Sequence, residues 1–406
     1  MMSDSFDFKE LESASSEVFR NWANLPCDLL SYIASKTHPS MQDFVRMSAV
    51  CRPWQASLKD PKPKFPICLM LGEKEDDNDN RRCFVTASED KVMEFELSEI
   101  RKRRCWGSPF GWIATYGLDD EIGLFNPLTK AYLSLPPLGD RALEVEDMDR
   151  SKESLGLKFI FKLLLSSCPT SPDCIVMAIY GSACDLTFTR MGDEAWTPIE
   201  SNRSISDVTY FNGNFFAVTI LGELLICQGL EGPSPKAVEF ADPPPQFEKF
   251  EVADFLKYMV ELDGHLCMIG RKHGRYRYDN EEDGIVIENC CSTEGFGMVR
   301  LDIDTRNWDE ISSLGDRSLF LGNCCTFTIL ASDYYGCISN CIYFTYDFLY
   351  EGYHDLEGTN CGGGLDTGIY HCDDKETLIR LPDVGDDDQP FRSIFSPPIW
   401  ILPSSH

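Results

Sequence analysis

Val208-Thr209-Tyr210-Phe211, then Asn212-Gly213, then Phe215-Phe216-Ala217-Val218-Thr219 reads as two strands joined by a tight turn. Val, Thr, Tyr and Phe fit a pleated surface, and Asn-Gly supplies the two positive φ angles of a type I′ hairpin. Leu224-Leu225-Ile226-Cys227 and Ala237-Val238-Glu239-Phe240 follow and extend the hairpin to four strands in series. Gly, Asn and Asp bound each run, which is the punctuation of strands.

Working outward, the unit recurs. Tyr258-Met259-Val260-Glu261-Leu262 turns at Asp263-Gly264 and returns through Leu266-Cys267-Met268-Ile269. Its outer half is Met298 to Ile303, a polar turn, and Trp308-Asp309-Glu310-Ile311. Similar outer hairpins are Ile122–Phe125 with Ala131–Leu135, Leu186–Thr189 with Ala195–Thr197, and Gly368–His371 with Thr377–Leu381. Repeated four-strand meanders are the signature of a β-propeller, with copies spaced roughly 40 to 75 residues apart and insertions in the loops. About six blades are expected. The apolar ending Ile399-Trp400-Ile401-Leu402, with Phe391–Phe395 before it, is expected to supply a strand that closes the first blade. A doubly wound α/β fold is disfavoured, because no amphipathic helices separate the strands.

The chain's start differs. Leu25, Leu29, Leu30 and Ile33 recur at helical spacing, and Pro26 sits where a first helical turn tolerates a missing N–H. Ser40 and Asp43 form a capping-box variant for a second helix, in which Phe44, Met47 and Cys51 recur at spacings of three and four. Trp54 and Leu58 continue the pattern, but Pro53 should break that run into two helices. A segment of roughly 40 residues rarely buries enough apolar surface to be stable alone, so a partner is the leading account of it. A helical hairpin capping the following domain is the plain alternative.

Leu25-Pro26-x-Asp28-Leu29-Leu30-x-x-Ile33 and Val50-Cys51-x-x-Trp54 resemble the F-box, a three-helix module that docks on the Skp-type adaptor of cullin ubiquitin ligases. Thr37 departs from the pattern, where an aliphatic residue is common. Phe125–Thr129, Ser313–Gly322, Asn340–Thr345 and Ser396-Pro397-Pro398-Ile399-Trp400 resemble a plant group that joins an F-box to a KIB-type propeller domain of unknown function. The resemblance implies a non-catalytic substrate adaptor of a Skp–cullin–F-box E3 ubiquitin ligase, with no cofactor and an unnamed protein client. It implies that Leu25, Pro26, Leu29, Leu30, Ile33, Val50, Cys51 and Trp54 dock on the adaptor or hold the helices together. The expected fold is thus a small all-α F-box module followed by an all-β propeller. The expected boundaries are a tail at 1–20, the module at 21–60, a Pro-rich linker at 61–66, and the propeller at 67–406.

Bulk properties narrow the function. The 406 residues are 43% hydrophobic and 12% aromatic, enough for a substantial core. With 37 basic and 66 acidic residues the net charge is −29, a surface that repels nucleic-acid backbones and anionic lipid. The first residues lack a secretory pattern, and no apolar run reaches the ~18–20 residues of a membrane span. The 18 cysteines therefore read as reduced, mostly buried residues of a cytoplasmic or nuclear protein.

Chemistry-bearing patterns are thin. Cys337-x-x-x-Cys341, Cys290-Cys291, Cys324-Cys325, His265-x-Cys267 and His371-Cys372 lack the paired C-x-x-C spacing of a zinc site. There is no G-x-S-x-G elbow, H-E-x-x-H, P-loop or dinucleotide fingerprint, and Gly362-Gly363-Gly364 precedes no helix. Glu73 to Asp79, Glu281-Glu282-Asp283 and Asp386-Asp387-Asp388 read as solvated loop tips. Arg101-Lys102-Arg103-Arg104 reads as a nuclear import signal or as an exposed face between blades. A propeller that binds partners outside any ligase, and a propeller enzyme with a site in its channel, are the rival classes.

Overall fold

Asn212 and Gly213 take φ of 46° and 81°, and Asp263 and Gly264 take 50° and 75°, the double positive φ that a type I′ turn demands. The first turn joins Ile205–Phe211 to Asn214–Thr219 with Phe211 opposite Asn214, and the second sets Leu262 opposite His265. In the computed structural model the described residues are 25–36, 47, 50–57, 66–73, 80–86, 89–117, 119–138, 160–248, 255–279, 286–322, 324–334, 336–345, 347, 366–380 and 396–404. The chain divides into two compact units, Met1–Lys64 and Phe65–His406.

The second unit is a six-bladed β-propeller. Blade 1 runs, from the inside out, Ile399–Ile401, Cys68–Met70, Arg81–Thr86 and Glu89–Glu96. Blade 2 is Arg103–Gly107, Ile113–Gly117, Ile122–Phe125 and Tyr132–Leu135, and blade 3 is Ile160–Leu165, Ile175–Tyr180, Asp185–Arg190 and Thr197–Ile199. Blade 4 carries the hairpin above, then Leu224–Gln228 and Lys236–Ala241. Blade 5 is Phe255–Leu262, His265–Asp279, Val286–Leu301 and Trp308–Ile311. Blade 6 has five strands, in the order Phe327–Leu330, Arg317–Leu321, Cys341–Phe344, Gly368–His371 and Glu376–Arg380. The expected closure is present: Cys68, Leu69 and Met70 pair antiparallel with Ile401, Trp400 and Ile399.

The outer hairpins share one local device. Asn126 Oδ1 accepts from the N–H groups of Leu128 and Thr129, and Asp302 Oδ1 accepts from those of Asp304 and Thr305. These are Asx turns, and each ends on a basic residue at positive φ, Lys130 or Arg306. Neighbouring blades then share apolar cores: Leu124 with Leu163, Phe188 with Phe215, Phe216 with Met268, Ile269 with Phe344, and Phe320 with Trp400. Tryptophan N–H groups stitch some of these seams. Trp106 donates to the Phe161 carbonyl at 3.0 Å and Trp308 to that of Asp242 at 2.8 Å.

Two sequence expectations are corrected. Arg103 and Arg104 are buried on the inner strand of blade 2, Arg103 against Asp119 and Glu121 and Arg104 over the Trp106 ring, so the basic run presents no continuous surface. Glu73 is not a solvated tip, because it pairs at 3.1 Å with the buried Arg82 and accepts from the Lys102 N–H. The N-terminal tail, Phe391–Phe395, Thr37, Ser40, Asp43, Phe44 and residues 61–65 of the linker lie outside the described residues.

Trp400 is fully buried, edge-on to Phe320 and Tyr343. Trp400→Ala should cost about 3–5 kcal/mol, read as a lower urea midpoint, and deletion of 391–406 should abolish cooperative melting.

Candidate functional site

In the N-terminal unit, helix α1 spans Cys27–Lys36 and helix α2 spans Arg52–Ser57. The Leu30 N–H donates to the Pro26 carbonyl at 3.0 Å, so Pro26 opens α1 and its missing N–H costs nothing. Cys51 is non-helical between Val50 and Arg52, which is the break that Pro53 requires, because the proline sits in the first turn of α2.

The eight expected site residues separate by burial. Leu30 is fully buried, and Leu25, Cys51 and Trp54 are half-buried. Pro26, Leu29, Ile33 and Val50 are exposed, Leu29 by 51% and Val50 by 55%. Leu29 and Ile33 stand one turn apart on one face of α1, and Tyr32, also exposed, joins them. Sequence reasoning passed over Tyr32, although its three-residue spacing from Leu29 was a usable signal. A helix that is apolar both toward and away from its own core is the pattern of a segment with a partner on its open side.

The propeller's centre is the second place to look for chemistry. The Cys325 N–H donates to the Gly107 carbonyl of blade 2 at 2.9 Å, and its thiol to the Leu163 carbonyl of blade 3 at 3.5 Å. Blade 3 stands across the ring from blade 6, so Cys324–Thr326 lie across the channel. The turn into it depends on Gly322 at φ 130°, where a Cβ would lie 1.9 Å from Thr345 Oγ1. Phe327–Leu330 then returns beside blade 5, with the Thr328 hydroxyl donating to the Glu261 carbonyl at 3.0 Å.

Charges around this crossing are paired. Lys162 of blade 3 bonds Asp207 of blade 4, whose second oxygen accepts from the Met259 N–H of blade 5 at 2.7 Å. Burial works against the Lys162 charge, but Asp207 outweighs it and the pKa rises. Arg271 of blade 5, wholly buried, reaches Asp347 at 3.1 Å and Asp366 at 2.9 Å and lies 4.8 Å from the Phe344 ring. Tyr258 donates to Asp347, and Thr293 to Asp366 at 2.6 Å. His273 is pushed down to about 3 by burial and then by Arg271, so it is a neutral imidazole. Burial pushes the Cys325 thiol up to about 11, the reverse of an activated nucleophile. Among the described residues no group of three His, Cys, Asp or Glu side chains is placed to hold a metal.

The KIB1-4 β-propeller model matches residues 84–371. This chain belongs to that family. The F-box protein At2g26160 of Arabidopsis thaliana is 24% identical over 347 residues, covering 80% of this chain and 95% of the relative. The Arabidopsis F-box protein SKIP23 is 26% identical over 352 residues, covering 77% and 81%. A third Arabidopsis relative, At5g55150, is 29% identical over 235 residues, and this match spans 54% of the chain and 59% of the relative. Among solved structures, U3-55K aligns over 69% of this chain and 67% of its own at 10% identity with a TM-score of 0.34, too slight a likeness to carry anything further. The KIB1-4 match begins within blade 1 and ends within blade 6, so the closing strand lies outside it.

Asp207→Asn should leave Lys162 buried without its counter-charge and cost about 3–5 kcal/mol, measured by urea unfolding of the KIB1-4 propeller.

Proposed function

We propose that this chain is the substrate-recognition subunit of a Skp–cullin–F-box ubiquitin ligase. The observation that carries the reading is the solvent-facing apolar row Leu29, Tyr32 and Ile33 on α1, with Val50 also exposed, in a chain whose net charge is −29. Its relatives are plant F-box proteins, and the row falls within the stretch that resembles the F-box. The N-terminal residues dock on a Skp-type adaptor and through it on a cullin, and the propeller holds a protein client. The subunit needs no catalytic residue. It raises the effective concentration of client lysines near an activated ubiquitin carrier held elsewhere in the assembly. The work belongs to the cytoplasm or the nucleus.

Burial divides the roles of the eight docking candidates. Leu29, Ile33 and Val50, with Tyr32, face the adaptor, and Leu30 holds the helices together. Pro26 starts α1, and Leu25, Cys51 and Trp54 stand at the edge between the two tasks. Truncating exposed anchors at such an interface costs about 2–4 kcal/mol, or tens- to hundreds-fold in affinity. Leu29→Ala/Ile33→Ala should therefore lose a purified Skp-type adaptor in pull-down with an unchanged melting curve, whereas Leu30→Ala should weaken binding and lower the melting temperature together. An unchanged pull-down by the double variant, or no binding by the parent, would leave the propeller as a free-standing binding domain.

A further inference from the structure

Lys257 differs from four other buried cations among the described residues. Arg82, Arg103, Lys162 and Arg271 each face a carboxylate. Lys257 is 6% exposed, yet among the described residues no carboxylate lies within ion-pair distance of it. Its ammonium donates to the carbonyls of Ile220 at 2.8 Å and Phe255 at 3.4 Å and lies 5.5 Å from the Phe255 ring. An ammonium has three donors, so one is left without an acceptor among the described residues. Burial alone lowers its pKa to about 8. Glu223, in the same turn as Ile220, is committed to Arg203 at 3.1 Å and to the Thr219 hydroxyl.

The surroundings of the amine have a definite character. Lys257 sits near the start of the inner strand of blade 5, at the end of the propeller where the turn 219–223 of blade 4 lies. Gly222 stands beside the lysine stem at φ 96°, and a Cβ there would lie 3.4 Å from the lysine Cε and 3.4 Å from the Pro243 Cβ. Ile220 and Leu221 on the same turn are exposed side chains, so an apolar rim lies against the buried charge. A buried charge without a partner destabilises the fold, and such groups concentrate at binding sites, where a ligand supplies what is missing.

We propose that Lys257 anchors an anion site at the seam of blades 4 and 5, taking the carboxylate of a peptide whose neighbouring apolar side chain covers Ile220 and Leu221. The ammonium's third donor meets one carboxylate oxygen, and closing the apolar rim over that pair excludes water and strengthens it. An acidic residue flanked by aliphatic ones is the peptide class that fits both halves. The site uses the propeller alone, so it stands or falls separately from adaptor docking.

The test is amine-reactive labelling of Lys257 in the full chain, followed by mass spectrometry as a function of pH. Free protein should show a labelling midpoint near pH 8. The probe acetyl-Leu-Glu-Leu-amide, at about 5 mM to allow for weak binding, should raise that midpoint by about one unit and slow labelling at pH 8 about fivefold. Acetyl-Leu-Gln-Leu-amide should leave the profile unchanged, and Lys257→Met should lose calorimetric binding of the Glu peptide while melting no lower than the parent. An unshifted profile, or an equal shift by the Gln peptide, overturns the site. Inorganic phosphate shifting the midpoint as far as the Glu peptide overturns its assignment to a peptide carboxylate. Should Lys257→Met fail to fold, the parent's labelling profiles decide alone.

Discussion

The pairing of Ile399–Ile401 with Cys68–Met70 is the contact on which the propeller depends. A ring of blades has two loose ends until one strand from each terminus shares a sheet. Here the last strand becomes the innermost of blade 1, and Trp400 fills the seam with blade 6 beside Phe320 and Tyr343. The cost is entropic, because the two strands are separated by almost the whole propeller in sequence and their contact is made late. Once made, it leaves only short edges open to pairing with other chains. The remaining blades are local hairpins that need the ring to bury both faces.

The centre of the ring is filled by chain and by charge pairs. Cys324–Thr326 reach across to blades 2 and 3, and blade 6 accommodates the detour with an extra strand and a parallel pair, Arg317–Leu321 beside Cys341–Phe344. Lys162 with Asp207 and Arg271 with Asp347 and Asp366 then tie the inner ends of blades 3 to 6 by contacts whose geometry tolerates little change. Buried pairs of this kind add less to net stability than they cost when broken, so they fix arrangement more than they add strength. Lys257, at the seam of blades 4 and 5, contrasts with these pairs because no carboxylate of the described residues faces it.

The two units handle apolar surface in opposite ways. The propeller closes its cores between adjacent blades and leaves few large side chains in solvent. The N-terminal helices bury Leu30 and leave Leu29, Tyr32, Ile33 and Val50 outside. A segment this short has too little interior to hide them all, which is a consequence of surface-to-volume scaling. An exposed face on a small helical unit and a filled ring behind it in the chain suit a connector between two proteins.

Much of the fold was legible in the chain because its signals are local. Asn212-Gly213 and Asp263-Gly264 specify type I′ turns through positive φ, and the alternating runs on either side set strand register. Helical spacing around Pro26 and the break at Pro53 were equally direct. Even the closing strand was legible, as an apolar ending after a polar tail. Tertiary structure alone decided which groups meet across the ring. It buried Arg103 and Arg104, which read as a surface cluster, and tied Glu73 to Arg82. It drew Cys324–Thr326 through the channel, divided Leu30 from Leu29, and left Lys257 without a carboxylate among the described residues. Turn type and strand period depend on a few neighbouring residues. Burial and charge pairing depend on which distant blade stands alongside, and no local pattern encodes that.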